Sequence, residues 1–98
     1  MKNNKIITHV ELQINPEFIE DVLSNAIQTK DLILLEEGTE SFNLTRKIEE
    51  PDILVIFAVY TSKELYDWHL EQSYVKSFFS FLQDKLVAPP LVTYLTEV

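Results

Sequence analysis

The chemistry that this sequence could perform centres on its two histidines, His9 and His69. An imidazole titrates near neutral pH, so it can accept a phenol proton and act as a general base. His69 is the better candidate; the alternative is a histidine on a helix surface or in an interface that hydrogen-bonds backbone and does no chemistry. His9 lies on the more polar side of a predicted strand, where it either lines a pocket or has a structural role.

Aromatic side chains are concentrated near the second histidine. Such residues at helical spacing often form core, but Tyr60 ends an apolar stretch, and its hydroxyl must find a partner or water. Phe78 belongs to the apolar wall or lid that we expect around a pocket. Asn43 could meet a substrate oxygen or form a hydrogen bond in a subunit interface. The predicted substrate-binding residues are Tyr60, Trp68, Tyr66, His9, Phe78 and Asn43.

Other reaction types find little support in the residues. The chain has no cysteine, so it offers neither a disulfide framework nor a thiol nucleophile. One glycine cannot build a phosphate-binding loop, and no serine lies in a Gly-x-Ser-x-Gly turn. Two histidines without cysteine fall short of a transition-metal site unless carboxylates complete one. The acidic pairs Glu36-Glu37 and Glu49-Glu50 are predicted to be solvated charge in turns.

Length and charge limit the possible partners. The 98 residues are predicted to form one domain, residues 1–98. The formal net charge of −8 argues against nucleic acid or an anionic membrane as partner, because both require clustered lysine and arginine. With no cysteine, no long apolar segment and no recognisable signal peptide, we expect a soluble cytoplasmic protein.

The strongest structural signal is the apolar run ILVIFAVY, residues 53–60. Its length and its isoleucine and valine content favour a strand that is buried on both faces. One face can lie under the protein's own helices, but too little chain remains to cover the other. We therefore predict a homodimer in which a second copy supplies the missing layer.

Hydrophobic periodicity places the other elements around this strand. Alternating side chains predict strands at Ile6–Ile14, Ser41–Ile48 and Leu91–Val98. The predicted helix starts are Asn15-Pro16, a capping box of Thr61 and Glu64, and Ser73. Gly38 is predicted to adopt left-handed backbone after the first helix. The order β-α-β-β-α(α)-β predicts an α+β, ferredoxin-like fold with an antiparallel sheet.

Several of these segments resemble one known family. They are the turn Glu36-Glu37-Gly38, an acidic-Pro turn before the apolar strand, the pair His69-Leu70 and an aromatic helix from Tyr74 onward. In this combination the chain resembles the antibiotic biosynthesis monooxygenase family of dimeric α+β barrels. The resemblance implies a dimer whose sheets pack face to face, with a pocket in each subunit between sheet and helices. It also implies oxidation of small phenols and quinols without metal, flavin or haem, with His69 as the base.

Two departures from the family pattern bear on activity. The family's third strand commonly ends in Glu-x-Trp, but here it reads Ala58-Val59-Tyr60, and a Pro-His pair is replaced by Ser73-Tyr74. Each departure removes polar groups that could serve catalysis. Two hypotheses therefore stay open: a cofactor-free monooxygenase, or a non-catalytic dimeric barrel that binds a small apolar ligand. A third, an isomerase on a related barrel, would form product without oxygen.

A related haem-degrading branch matches the sequence poorly. Its members use an asparagine on the first strand, a tryptophan on the second helix and a downstream histidine as iron ligand. Trp68 fits this pattern, but His9 stands near the asparagine position and Phe78-Phe79 at the position of the ligand. We therefore expect neither haem nor another cofactor.

Overall fold

An antiparallel four-stranded sheet organises the chain, and the helices pack on one of its faces. The structure is a computed structural model and describes residues 4–98. The elements are β1 (Ile6–Gln13), α1 (Ile19–Ile33), β2 (Thr39–Arg46), β3 (Ile53–Tyr60), α2 (Lys63–Leu70), α3 (Ser73–Leu82) and β4 (Leu91–Leu95). The strand order across the sheet is β2-β3-β1-β4. This confirms the predicted ferredoxin-like α+β fold.

The inward face of β3 forms the centre of the core. Its side chains Leu54, Ile56, Ala58 and Tyr60 alternate toward the helices and are each at most 6% exposed. Leu12 lies opposite Leu54 on β1 and is completely buried. Full burial of a large aliphatic side chain contributes about 1.5–3 kcal/mol, so this row fixes how β3 faces the helices.

The opposite face of β3 is covered much less within the described chain. Phe57 is 37% exposed, and Leu95 on the edge strand β4 is 41% exposed. Val55 and Val59 are half-buried. A single chain therefore buries β3 on the helix side and leaves its outer side partly open.

The predicted helix start at Asn15-Pro16 opens a 3-10 turn, and α1 itself begins three residues later than Pro16, at Ile19. The Asn15 side chain accepts a hydrogen bond from the Glu17 N–H at 3.0 Å and caps the 3-10 turn Pro16–Phe18, which leads into the helix. Ile27 and Leu34 are exposed on α1 and at its end, because 3.6 residues per turn place them to one side of the buried stripe. The buried stripe consists of Val22, Ala26, Thr29 and Ile33.

The predicted caps of α2 and α3 are wrong. Ser62 caps α2, because its Oγ accepts the Leu65 N–H at 3.2 Å, whereas the Thr61 hydroxyl donates to a carboxylate on β2. α3 follows Gln72 without a side-chain cap, and Ser73 is already its first residue. None of the helices in the described chain combines the length and apolar character that a membrane span requires.

Three strands have bounds that differ from their predicted positions. β2 starts and ends two residues earlier than predicted, and Ile48, expected to be its last inward residue, is 97% exposed. β1 stops at Gln13, after which Ile14 forms only an isolated bridge with Leu86. β4 ends at Leu95. At the C-terminal end of each strand the apolar pattern continues beyond the ladder of hydrogen bonds, so alternation alone places that end too late.

Gly38 is required by a close approach and not by left-handed backbone. Its φ is not positive, so the prediction for this residue is wrong. A Cβ added to Gly38 would lie 2.5 Å from the Leu65 Cβ. The absence of a side chain allows the connection between α1 and β2 to pack directly against α2. This contact brings Glu36 within hydrogen-bonding distance of His69.

Candidate active site

A cavity of about 260 Å³ lies between the inner face of the sheet and the helices. Its walls are mainly apolar: Val10, Ile33, Phe42, Ile56, Leu70, Val75, Phe78, Phe79 and Val92. Its polar lining consists of Thr8, Thr29, Tyr60, Tyr66, His69 and Tyr94. Apolar walls with a few convergent polar groups are typical of sites for small molecules.

His69 and Glu36 form a buried pair beside this cavity. The His69 Nδ1 lies 2.8 Å from Glu36 Oε1 and 3.0 Å from Oε2. Their side chains are only 5% and 3% exposed. Because a carboxylate can only accept, Nδ1 carries a proton and donates it. In a neutral imidazole this leaves Nε2 as the acceptor, which fixes the tautomer and the orientation of the ring.

Tyr60 occupies the other side of the same imidazole. Its hydroxyl lies 3.2 Å from His69 Nε2, so the phenol donates and the ring nitrogen accepts. The two ring centroids are 4.7 Å apart. Burial, with smaller contributions from Tyr66 and Glu36, raises the pKa of Tyr60 far above its ordinary value of about 10. Tyr60 is therefore protonated at neutral pH.

Two further side chains hold the Glu36 carboxylate. Thr39 donates its hydroxyl to Oε1 at 3.0 Å, and Tyr74 donates its hydroxyl to Oε2 at 2.5 Å. Burial and the hydrogen bond to Glu36 raise the pKa of Tyr74. A buried carboxylate is costly unless hydrogen bonds satisfy its oxygens. Here donors from β2, α2 and α3 together meet that need.

A second pair of tyrosines joins α2 to the edge of the sheet. The hydroxyls of Tyr66 and Tyr94 lie 3.0 Å apart, and the Tyr66 ring is 4.9 Å from that of Tyr60. Burial, followed by the hydrogen bond to Tyr94, raises the pKa of Tyr66. Tyr94 is 62% exposed, so this pair lies where the cavity approaches solvent.

The structure brings four of the sequence-predicted site residues to the cavity. They are Tyr60, Tyr66, His69 and Phe78. His9 lies on the opposite face of the sheet, in register with Phe57 and Thr93. Successive strand side chains point to opposite faces, so the neighbours of His9 in the sequence, Thr8 and Val10, line the cavity instead.

Asn43 and Trp68 are also placed away from the cavity. Asn43 lies on the outer face, where its amide donates to the Phe57 carbonyl at 3.3 Å. Trp68 is half exposed on α2, about 100° around the helix from His69. Its ring therefore points outward when the imidazole points inward.

Glu36, Tyr74 and Tyr94 are site residues that sequence reasoning missed. The prediction that Glu36 is solvated is wrong, since it is 8% exposed, whereas Glu37, Glu49 and Glu50 are exposed as predicted. Tyr74 was noted only as a departure from the family's Pro-His pair. The available signal for Glu36 was its position two residues before the only glycine, where the chain approaches α2.

The connected groups Glu36, His69 and Tyr60 can move a proton. A carboxylate orients the imidazole and stabilises its charged form, and the free nitrogen accepts a proton, as in the familiar hydrolase triads. Here the third member is a phenol at an apolar cavity. Among residues 4–98, no three histidine, aspartate or glutamate side chains cluster in a way that could hold a metal ion.

Fold and site together define an α+β domain with a buried acid–base chain at the polar part of an apolar cavity. The sequence model of the antibiotic biosynthesis monooxygenase family matches residues 5–80, and the chain belongs to this family. The resemblance inferred from the motifs is thereby confirmed. A comparison with curated proteins finds no match.

Solved structures share the whole fold at low sequence identity. A candidate antibiotic biosynthesis monooxygenase from Nitrosomonas europaea is 13% identical, with a TM-score of 0.93 over 100% of this chain and 94% of that one. One from Caulobacter crescentus is 18% identical, with a TM-score of 0.92 over 98% and 92%. A conserved protein from Methanosarcina mazei is 19% identical, with a TM-score of 0.92 over 98% and 95%. At these identities the likeness shows the fold alone.

Proposed function

We propose that this protein is a cofactor-independent monooxygenase that oxidises a small aromatic or quinol-type substrate. The observation that carries the proposal is the buried chain Glu36–His69–Tyr60 at an otherwise apolar cavity. Membership in the monooxygenase family supports the reaction class. A chain without cysteine is compatible with the reducing cytoplasm, where we propose that it acts.

The substrate supplies the reducing power in this reaction. A phenolate or hydroquinone anion is electron-rich enough to react with dioxygen, so the protein must remove a proton, hold the anion and exclude water. For a phenol oxidised to a quinone, one oxygen atom enters the ring and the other leaves as water. All four electrons taken up by dioxygen come from the substrate, and no external reductant is needed. His69 is the base that receives the phenol proton.

The cavity limits the size of the substrate. A volume of about 260 Å³ is slightly below the range of about 300–1,000 Å³ that is typical of ligand sites, and it accommodates one or two aromatic rings. Phe42, Phe78 and Phe79 supply flat apolar contacts for such rings.

We further propose that the protein is a homodimer formed through the outer face of the sheet. Val55, Phe57 and Val59 present an apolar surface there that the described chain does not cover with a helix. A second copy packing on this face would bury it and complete a two-layered core. The dimer is a property that the family is known for, which supports the proposal.

A non-catalytic role is the second candidate. It is favoured by Ala58-Val59-Tyr60 on β3, which lacks the carboxylate and indole common in the family, and by a site whose described buried polar atoms already have partners. Such a protein would bind an apolar ligand without converting it. A ligand that raises the melting temperature of the purified protein without any turnover would favour this role.

Oxygen consumption distinguishes the two functions. We expect the purified protein to accelerate dioxygen uptake with a naphthohydroquinone above the rate of spontaneous oxidation. Loss of a general base typically lowers the reaction rate by about 10²–10⁴-fold. His69→Gln should therefore bring the rate of dioxygen uptake close to that of spontaneous oxidation. Glu37→Gln is the control, because it changes an exposed side chain that lies outside both the cavity and the proposed dimer surface. A His69→Gln protein that stays folded and keeps the full rate would overturn the assigned role.

A further inference from the structure

We propose, on the basis of the function proposed above, that Tyr60 is the catalytic residue that contacts the substrate hydroxyl and that His69 receives the proton through it. The site is then a relay in which the phenol of the protein stands between the substrate phenol and the imidazole. The relay recognises substrates with a free aromatic O–H group.

This assignment rests on the fact that both ring nitrogens of His69 already have hydrogen-bond partners. Its Nδ1 is bound to Glu36, and its Nε2 is bound to the Tyr60 hydroxyl. The His69 side chain is 5% exposed and both of its ring nitrogens have partners, so no ring nitrogen is left to meet a substrate directly. A substrate oxygen could reach Nε2 only by displacing Tyr60, which is 3% exposed and packed at the end of β3.

The Tyr60 hydroxyl has the capacity that His69 lacks. A phenol oxygen donates one hydrogen bond and can accept others, and Tyr60 uses its proton to donate to Nε2. Its lone pairs are free to accept a hydrogen bond from a substrate O–H in the cavity that Tyr60 lines. The neighbouring ring of Tyr66, 4.9 Å away, restricts the substrate's approach to the same corner.

The proton transfer balances without any added reagent. The substrate O–H bond breaks as its proton bonds to the Tyr60 oxygen, and the Tyr60 O–H bond breaks as its proton bonds to His69 Nε2. The products are a substrate phenolate, a neutral Tyr60 and an imidazolium. Nδ1 keeps its own proton and its hydrogen bond to Glu36, so the new positive charge lies directly beside a carboxylate.

The surroundings favour a coupled transfer. Burial raises the pKa of Tyr60, so a standing tyrosinate is disfavoured and the residue gives up its proton only as it gains another. Thr39 and Tyr74 keep the Glu36 carboxylate in place as the charge on His69 changes. Positioned donors of this kind stabilise the charged state without having to reorganise.

A nitrophenol tests the relay separately from oxidation. 4-Nitrophenol is already poor in electrons and resists oxidation, and its phenolate absorbs visible light. At a pH below its own pKa, we expect the wild-type protein to bind it and to produce the phenolate absorbance. In Tyr60→Phe the ratio of phenolate to phenol among the bound 4-nitrophenol should be at least tenfold lower than in the wild-type protein. His69→Gln should also lose the ionisation. Glu37→Gln, which changes an exposed side chain next to Glu36, should behave as wild type.

Each outcome decides a different point. Full ionisation by a folded Tyr60→Phe protein would overturn the relay and assign direct contact to His69. Failure of the wild-type protein to bind or to ionise the probe would overturn it as well. Ionisation that depends on Tyr60 in a protein that never consumes oxygen with quinols would leave the relay intact and reject the proposed oxidation.

A second measurement covers the case in which Tyr60→Phe does not fold. The rate of quinol oxidation by the wild-type protein is measured in mixtures of light and heavy water. Two protons moving together give a curved dependence on the deuterium fraction, and a single proton gives a straight line. A straight line with a substantial isotope effect would overturn the relay.

Discussion

Glu36 is the residue that orients the imidazole of His69, which we propose as the base. Its carboxylate accepts hydrogen bonds from His69, Thr39 and Tyr74, which lie on three different elements. Without Glu36 the imidazole could adopt either tautomer. It would also have no negatively charged partner when it accepts a proton. The acidic residue next to it, Glu37, is exposed and does none of this.

Replacement of Glu36 should therefore affect both stability and activity. We expect Glu36→Gln to lower the free energy of unfolding by about 1–3 kcal/mol, because it leaves buried donors poorly matched. Quinol oxidation should fall by at least tenfold. Urea unfolding and oxygen uptake measure the two effects, and Glu37→Gln is the control one residue away. Equal behaviour of the two variants would show that the buried carboxylate is idle.

One buried and two half-buried tyrosines predict how stability responds to alkaline pH. The pKa values of Tyr60, Tyr66 and Tyr74 are all raised in the folded protein. Between the unfolded pKa of about 10 and the higher folded values, the unfolded chain has fewer bound protons. Stability must then fall as pH rises through this range, while below it these groups contribute no slope.

Urea unfolding at several pH values above 9 measures this effect. The free energy of unfolding should decrease steadily above pH ~10, and Tyr74→Phe should reduce the slope. Tyrosinate absorbance should show that these tyrosines ionise at a higher pH in the folded protein than in the unfolded chain. A free energy of unfolding that stays constant through pH ~11 would contradict the burial of these phenols.

Sequence reasoning found the histidine and missed its carboxylate for a physical reason. His69 and Tyr60 are nine positions apart and belong to adjacent elements, so their types and spacing suggest a common site. Glu36 is 33 positions from His69, and its burial depends on how the α1–β2 connection packs against α2. A pair of acidic residues in a turn is usually solvated, and only the tertiary contact reverses this for one of them.

At the level of elements, two contacts near the site fix the position of α2: its N-terminal cap and the close packing of Gly38 against it. Ser62 satisfies the Leu65 N–H, and Gly38 packs against the Leu65 side chain. Hydrophobic periodicity predicted the existence and order of these elements well. It could not place the cap, because Thr61 and Ser62 are both good capping residues and their backbone conformation decides between them.

Substitution of the capping serine tests its assignment. Ser62→Ala should destabilise the protein by about 1 kcal/mol, the usual cost of losing a capping hydroxyl. Thr61→Ala removes a hydroxyl whose bond to a carboxylate on β2 is exposed and should cost less. Chemical denaturation of both variants provides the comparison. A larger loss for Thr61→Ala would reverse the assignment.

Gly38→Ala should destabilise the protein more than the addition of one methyl group suggests. The added methyl group would meet the Leu65 Cβ at 2.5 Å, so the connection between α1 and β2 would have to move away from α2. Such overpacking typically costs about 1–3 kcal/mol. The displacement also carries Glu36 away from His69, so oxygen uptake should fall in the protein that remains folded. Glu37→Ala is the neighbouring control, and a thermal melt with unchanged midpoint for Gly38→Ala would contradict the close approach.

On the scale of the whole molecule, the chain builds a single layer of helices on a sheet whose strand β3 is apolar on both faces. The inner face is buried by the chain itself, and the outer face around Phe57 is the surface that we assign to a second copy. The unbroken apolar run of β3 was sufficient to predict that the strand is apolar on both faces. The sequence could not show how much of the outer face one chain leaves open, because that depends on strand order and on the lengths of β1 and β4.

Light scattering after size-exclusion chromatography tests the dimer. We expect a mass of twice the 11.4 kDa of the chain. Phe57→Glu places a charge in the centre of the outer face and should give a folded monomer, whereas Ile48→Glu changes an apolar residue that is fully exposed in a turn and should leave the dimer intact. A stable monomer of the wild-type protein at micromolar concentration would contradict the proposal.

The central claim is that a phenol binds in the cavity with its oxygen at the buried chain Glu36–His69–Tyr60. A crystal structure of the protein with bound 4-nitrophenol tests it most directly. We expect the phenol oxygen within about 2.5–3.0 Å of the Tyr60 hydroxyl, with its ring between Phe42 and Phe78. A ring bound outside this cavity, or a phenol oxygen that points away from Tyr60 and His69, would contradict the account.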